Sequence, residues 1–476
     1  MAYKKTNLFL ILITFISNVS FGQQGNILFL MDNIPSTRNV NVAAFDDSIK
    51  FNFSLPIISS TESYINSDFL YSNIIKKRPT DGSRFLDVNS FLASLKDENN
   101  INFEAKFNLL RFGFKIRESY LSFSIDEKIN LDVGIKKDLF EFLLNGNKNY
   151  INNQNIGTVN LYFGHLRELS IAYVKKIKIN NNYLNVGLKP KYFFGLANVN
   201  LNNKLYYTNE NNFSNIGINI EGDGTISGPI DIISEDGKLE NLNISESNFD
   251  ALDYITNTKN NGIGFDFGLN YSLNVGNKIY KINDDDIEYH KQKIKIDFSI
   301  INIGKINWRS NTENINYQLA YQFNGFDITN SLDSESDNYI ELGDLISNKT
   351  DSLETVNIVN VEENKDYSSI LKPKFYLNTS FIFSKNFSAG LLFNSSNNGL
   401  LKNMNVSIHS SLRLSDVFNL TASYSNLYNL GVGLSLKGGP FQIYVLSDNL
   451  FNTYKLTSNP YELDNININL GINFIF

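Results

Sequence analysis

The last twelve residues, Asn465–Phe476, read NININLGINFIF, and their alternation decides the fold. Ile466, Ile468, Leu470, Ile472, Phe474 and Phe476 are apolar; Asn465, Asn467, Asn469, Gly471 and Asn473 between them are polar or small, and Ile475 alone breaks the rule. Successive side chains of a strand point to opposite faces, so one face is greasy and the other is amide-rich. Twelve residues at about 3.3 Å each, tilted about 45°, cross roughly 28 Å, close to the hydrocarbon thickness of a bilayer. A terminal strand ending on an aromatic is the form read by the barrel insertion machinery. Leu470, Ile472, Phe474 and Phe476 are its candidate insertion signal.

Composition agrees with a barrel and excludes other classes. Of 476 residues 42% are hydrophobic, with mean hydropathy −0.21, too low for a bundle of membrane helices. Such a balance suits strands of which every second residue faces lipid. The net charge of −7 lacks the basic footprint that nucleic acid requires. There is no cysteine, hence no disulfide, thiolate metal site or lipidated N-terminal Cys. Only 8 prolines interrupt the chain, which favours long ladders.

At the other end, Lys4 and Lys5 precede the apolar run Leu8–Ile16, and Ser20 and Gly22 follow it. This is the pattern of a secretory signal peptide over residues 1–22, cleaved after Gly22; the run is half the length of a membrane anchor. Residues 23–48 lack a period, with Pro35 and several Asn, yet hold the apolar knot Ile27–Met31. They read equally as a lumenal plug or as a lead-in. Residues 49–476 make the barrel, delivered to the outer membrane.

Strand-like runs fill most of that span, beginning near Ile49 and continuing from Ala105 onward, with Gly264–Leu273 a clean two-faced example. After Pro373 the chain alternates strand and short turn, as at Lys385-Asn386, Ser415-Asp416 and Lys437–Pro440. Short helices are expected after Asp87, over Lys137–Leu144 ahead of Asn145-Gly146, and near Tyr254. Two polar stretches, 222–261 and 324–369, read as long loops. About fourteen spanning strands with short turns on one side and long loops on the other describe a transmembrane antiparallel β-barrel. Lipid tolerates no open sheet edge, so the strands must close.

Several stretches carry a resemblance: LFLMDNIPSTRNVNVAAF (28–45), LRFGFKI (110–116), KKDLFEFLLNGN (136–147), LKPKYFFGLAN (188–198), GIGFDFGLNY (262–271) and GPFQIYVLSDNL (439–450). Together they resemble an uncharacterised family of Bacteroidota outer-membrane proteins, domain of unknown function 5723, akin in architecture to the long-chain fatty-acid transporter barrels. The resemblance implies a barrel of about fourteen strands with an N-terminal segment in its lumen, and implies no substrate. It departs at Val42-Ala43-Ala44 before Phe45, where the family shows Asn-Pro-Ala.

Signs of catalysis are few. His165, His290 and His409 have no second ligand at metal spacing, and catalytic zinc wants three. His409 lies between serines, but Ser410 points to the opposite face of a strand and cannot serve it as a nucleophile. The cluster Asn283–Glu288 could attract Ca²⁺, although it lacks the EF-hand pattern and reads better as a solvated tip. No enzyme activity, cofactor or metal is expected. Arg111, Lys115, Lys189 and Lys191 alternate with apolar residues and are the candidate lumen-lining cations. The favoured function is a passive channel for small hydrophobic solutes. The other is a non-transporting accessory barrel that docks a partner protein for export or surface attachment.

Overall fold

The computed structural model describes residues 25–476 except 70, 78–83, 148–149, 211–214, 236–237, 245–250, 284–285, 324–354, 364, 399–400, 416 and 459–464. The expected leader over 1–22, most of the 324–369 stretch and Asp284-Asp285 lie outside these residues. Nineteen strands share one sheet. They are β1 (Phe51–Ser54), β2 (Thr61–Ser67), β3 (Glu98–Ile116), β4 (Ser119–Lys136), β5 (Gln154–Ile179), β6 (Asn182–Glu210) and β7 (Asn215–Ser227). Next come β8 (Asn261–Asn283), β9 (Asp286–Trp308), β10 (Thr312–Phe323), β11 (Thr355–Glu363), β12 (Tyr367–Ile370) and β13 (Lys374–Ile382). The last six are β14 (Phe387–Asn398), β15 (Leu401–Leu414), β16 (Phe418–Ser425), β17 (Asn429–Gly438), β18 (Phe441–Ser447) and β19 (Asn465–Ile475).

Fourteen positions close into an antiparallel ring. β1 and β2 act as one interrupted strand, both pairing with β3 on one side and β19 on the other. At the seam Phe53 faces Phe474, and Thr61 faces Leu470. The N–H groups of Lys50 and Phe51 both donate to the Phe476 carbonyl, at 2.7 and 3.0 Å. Among the described residues the ring therefore closes without a free edge, as lipid demands. Tight turns at Arg117-Glu118, Asn180-Asn181, 383–386 and Gly439-Pro440 share the end of the ring that holds Phe51 and Phe476. The long connections gather at the opposite end.

Parity sorts the faces. On β19 Asn467, Asn469, Gly471, Asn473 and Ile475 are buried inward, whereas Leu470 and Phe476 are exposed and Ile472 and Phe474 half-exposed. Other strands obey the same rule: Ile263 on β8 is 67% exposed and Ile408 on β15 is 64% exposed, beside buried Asp266 and His409. A soluble monomer would not tolerate so continuous an apolar belt. In lipid it is the solvated surface.

The ring is lopsided. β5 and β6 run 26 and 29 residues, whereas β16 and β18 run 8 and 7. About 9–11 tilted residues suffice to cross, so the long strands overshoot on the loop side. There β6 forks. Its first half pairs with β8 within the ring, and its second half pairs with β7, which carries β10 and then β11. The stretch 222–261, expected as a loop, thus holds the end of β7, a hairpin of 230–235 with 238–244, and a helix. Its glycines and acids hide the alternation that the ladder with β6 supplies. Of the 324–369 stretch, the described part likewise forms β11 and most of β12.

The expected helices are α2 (Val88–Ser94), α3 (Lys137–Asn145) and α4 (Ala251–Thr256), preceded by α1 (Asn26–Leu30) and followed by α5 (Leu450–Ser458). Asp87 caps α2, its side chain accepting from the Ser90 N–H at 2.9 Å. Gly146 ends α3 at φ 74°, a conformation that favours glycine.

Candidate functional site in the occupied lumen

Residues 25–48 enter the ring and touch its inner wall on opposite sides. Their first part is apolar. In α1, Ile27, Leu28 and Phe29, followed by Met31, pack on Ile301, Tyr376, Leu392, Tyr444 and Leu446 from four strands. Phe29 stacks on Tyr376 with ring centroids 4.9 Å apart. The N–H groups of Gly25, Asn26 and Ile27 donate to the Asp448 carboxylate at 2.9, 3.1 and 2.8 Å, and Asn467 adds a fourth donor at 3.0 Å. Burial nonetheless pushes the Asp448 carboxyl up to about 6, against the pull of those amides.

The middle of the segment is held by polar wall residues. Asn39 Oδ1 accepts from Arg111 at 3.1 Å and Lys189 at 3.3 Å, while its Nδ2 donates to Glu62 at 3.2 Å. Arg38 lies over the Tyr120 ring at 3.9 Å. Asn41 donates to Asp297 at 3.4 Å. Between Val42 and Ala43 the backbone rests directly on the wall. Gly187 of β6 and Gly268 of β8 stand opposite each other there, and a Cβ at Gly187 would lie 2.5 Å from the Val42 carbonyl oxygen. At Gly268 it would lie 2.7 Å from the Ala43 nitrogen. Only glycines leave room for this approach.

Ion pairs fix the turn-side part. Asp32 reaches Arg413 at 2.7 Å and Lys295 at 3.3 Å, two cations on different strands. Although burial raises its pKa, those cations hold it down at about 2. Asp47 joins Lys115 at 2.9 Å and also Lys176, and both ammonium groups sit 5.6 Å from the Phe45 ring. Phe45 packs with Ile49, Tyr120, Val174 and Ile475.

Three of the four cations singled out in the sequence lie deep in the lumen. Arg111 pairs with Asp126 at 3.5 Å, Lys189 with Glu168 at 3.4 Å, and Lys191 with Asp266 at 2.7 Å and Glu168 at 3.4 Å. Lys115 shares their parity but stands half-buried at the turn-side rim with Asp47. Sequence reading missed the acids. Glu168 is fully buried and also receives Lys128. Asp266, flanked by Phe265 and Phe267, had a signal available: a carboxylate between two lipid-facing aromatics must point inward.

The histidines take structural positions. His165 shares a 2.6 Å hydrogen bond with Tyr254 of α4. His409 is buried, with Nε2 2.8 Å from Asn378 Oδ1 and 3.5 Å from Ser380 Oγ. Its other nitrogen meets no carboxylate, so a Ser-His-Asp relay is not assembled. Among the described residues no three His, Asp or Glu side chains converge as metal ligands. The side chain of His290 lies outside the described atoms.

Two cavities flank the segment. On the loop side about 110 Å³ is bounded by Asn39 and Val40 below and by Lys106, Tyr162, Phe193 and Leu371 around it. On the turn side about 160 Å³ is bounded by Phe29, Asp32, Lys295, His409, Arg413 and Asn419.

A family model described as "Family of unknown function (DUF5723)" matches residues 44–448. The chain belongs to that family. No curated protein matches it. Among solved structures, the Ralstonia pickettii toluene transporter TbuX is 8% identical over 93% of this chain and 94% of its own, with a TM-score of 0.38. The Pseudomonas putida toluene transporter TodX is 7% identical over 93% and 92%, with a TM-score of 0.34. The translocator domain of the Neisseria meningitidis autotransporter NalP is 7% identical over 90% of both chains, with a TM-score of 0.29. The DUF5723 match begins at Ala44, so most of the lumenal segment precedes it.

Proposed function

We propose that this barrel is a passive outer-membrane channel for small, largely hydrophobic solutes, closed at rest by residues 25–48. The observation that supports this most is the segment's position between two cavities. Asn39 and Val40 form part of the loop-side cavity, and Phe29, Leu30 and Asp32 form part of the turn-side one. The loop-side cavity approaches the size that admits a single aromatic ring, for which about 150 Å³ is known to suffice. Its wall joins Tyr162, Leu166, Phe193 and Leu371 to lysines and glutamates, suiting an apolar body with a polar end. Arg111, Lys189 and Lys191 line the path beneath and set its selectivity. Cleavage of the leader after Gly22 would leave the mature chain beginning just ahead of the segment, and N-terminal sequencing of the membrane form tests it.

Flux of a small aromatic into liposomes decides the reading. The full chain should pass little, and a chain lacking Gly25–Asp47 should pass much more. No flux from either rejects the channel.

The forked sheet β6–β7–β10–β11 favours a second reading, an accessory barrel whose loop-side fin docks a partner protein. Stable co-purification of such a partner from native membranes, with no flux in liposomes, would select it.

A further inference from the structure

Strand β18 is too short to cross a bilayer by itself, and the helix that follows it is built inside out. Its 7 residues, tilted about 45°, rise roughly 16 Å, short of the apolar band of about 25 Å that a barrel presents. On its outward face Phe441, Ile443 and Val445 are each exposed, as the belt requires, but Ser447, the next residue of that parity, is buried. What covers it is α5. Ser447 Oγ shares a 2.7 Å hydrogen bond with Thr453 Oγ1 and accepts from the Asn449 N–H at 3.2 Å. The helix also packs on β17 and β19, the two strands that flank β18. It therefore lies against the outer side of the wall, with Thr453 on a residue two positions, about 7 Å, beyond Val445.

The polar side of α5 faces the protein. Asn449 caps it, its Oδ1 accepting from the Asn452 N–H at 3.1 Å, and Thr453 Oγ1 donates to the Asn449 carbonyl at 2.9 Å. Both Asn449 and Asn452 are buried. At about 100° per residue, Leu450, Phe451 and Tyr454 fall on one arc, and Asn452 and Thr453 fall opposite them. That first arc is turned away from the protein: Leu450 is 38%, Phe451 56% and Tyr454 71% exposed. Leu456 on the last turn is exposed as well. A helix on a soluble protein turns its apolar stripe inward. The reverse is stable where the surroundings are themselves apolar.

We propose that α5 is an interfacial helix, with Leu450, Phe451 and Tyr454 immersed in the loop-side leaflet where acyl chains meet headgroups. The occupant of this face is lipid because the arc continues the belt: Phe441, Ile443 and Val445 lead up the outer side of the same strand to it. Helices of this kind sink their apolar face about 5–10 Å into that boundary, which is the part of the band that β18 leaves uncovered. A tyrosine, apolar in its ring and polar at its tip, suits that level. The wall beside the terminal strand is thus completed by a helix, whether or not a solute crosses the barrel.

The chain has no cysteine, so a spin label on one introduced cysteine reports a single position. Labels at Phe451→Cys and Tyr454→Cys are placed in the full chain in phosphatidylcholine vesicles. Val445→Cys is the lipid-facing reference, and Ile151→Cys, 73% exposed between α3 and β5, is the aqueous one. Heat-modifiable migration establishes that each labelled variant is folded; if one of the two helix labels prevents folding, the other decides. Collisions with oxygen, which partitions into lipid, should dominate over those with a water-soluble nickel chelate at 451 and 454. The ratio should lie near that of Val445 and several-fold above that of Ile151. A ratio matching Ile151 overturns the proposal, because the arc then faces water. Few collisions with either reagent overturn it as well, because the arc is then covered by protein, a partner or a second copy.

Discussion

The arc of the ring from β3 to β9 keeps its lumen polar with charges, whereas the arc from β13 to β19 does so with amides and hydroxyls. On the first arc Arg111, Asp126, Glu168, Lys189, Lys191, Asp266 and Asp297 are buried. On the second, Lys374 at its edge and Arg413 toward the turn-side rim are the charged exceptions, and the buried polar residues include Asn378, Asn394, Asn405, Ser407, Thr421, Ser423, Asn467 and Asn473. The charged arc also has the longer strands. Buried charges tolerate no missing partner, because each ion loses water that only its counterions replace. An amide has less at stake and can turn to another neighbour. One wall is therefore stiff and interdependent, and the other is forgiving.

The sharpest way to break this contrast is Glu168→Gln. It leaves Lys128, Lys189 and Lys191 short of their shared counterion and should cost about 3–5 kcal/mol, read as a lower urea midpoint for the heat-modifiable form. A loss under about 1 kcal/mol would mean that water reaches the site. On the lipid face of the amide arc, Ile408→Arg should cost about 2–4 kcal/mol in vesicles if Ile408 sits near mid-bilayer. The same change should be mild if the belt is displaced. Removing Asn378 from the amide network by Asn378→Ala takes a donor from Asp297 and should cost about 1–3 kcal/mol. The comparison fails if that loss equals the loss at Glu168.

The segment between the two arcs offers a pH test that falls between these in size. The depressed pKa of Asp32 stabilises the fold above its unfolded value of 3.8, and that contribution fades as pH falls toward 2. Asp448 has the opposite sign. Its raised pKa, about 6, means that the folded chain holds the proton more tightly, so acidification from 7 toward 4 adds stability. Each amounts to about 2–3 kcal/mol at most. Stability profiles of Asp32→Asn and Asp448→Asn against the native chain should diverge in opposite pH windows, and coincident profiles would refute both assignments.

Much of the ring was legible because its signal is local. NININLGINFIF and GFDFGLNYSL declare two faces without reference to any other strand, and the Lys385-Asn386 and Gly439-Pro440 turns declare the short side. The lumen was less legible because its partners are set by register between distant strands. Glu168 meets Lys189 and Lys191 only because β5 and β6 align Leu169 with Tyr192. Height along a strand is equally silent. Arg111 and Lys115 share parity, yet one lies at mid-lumen and the other at the rim. The strand β7 was hidden for a related reason: Gly222, Asp223 and Gly224 have no strand propensity, and the ladder beside them supplies it.

The Gly187–Gly268 contact has a consequence for reconstitution. A seat that meets Val42 and Ala43 through main-chain atoms recognises a path rather than a set of side chains. A synthetic peptide tracing 25–48 could then be supplied in trans to a barrel lacking it, and re-occupy its lumen. Adding a single methyl group at position 187 would shut out the tethered and the free segment alike.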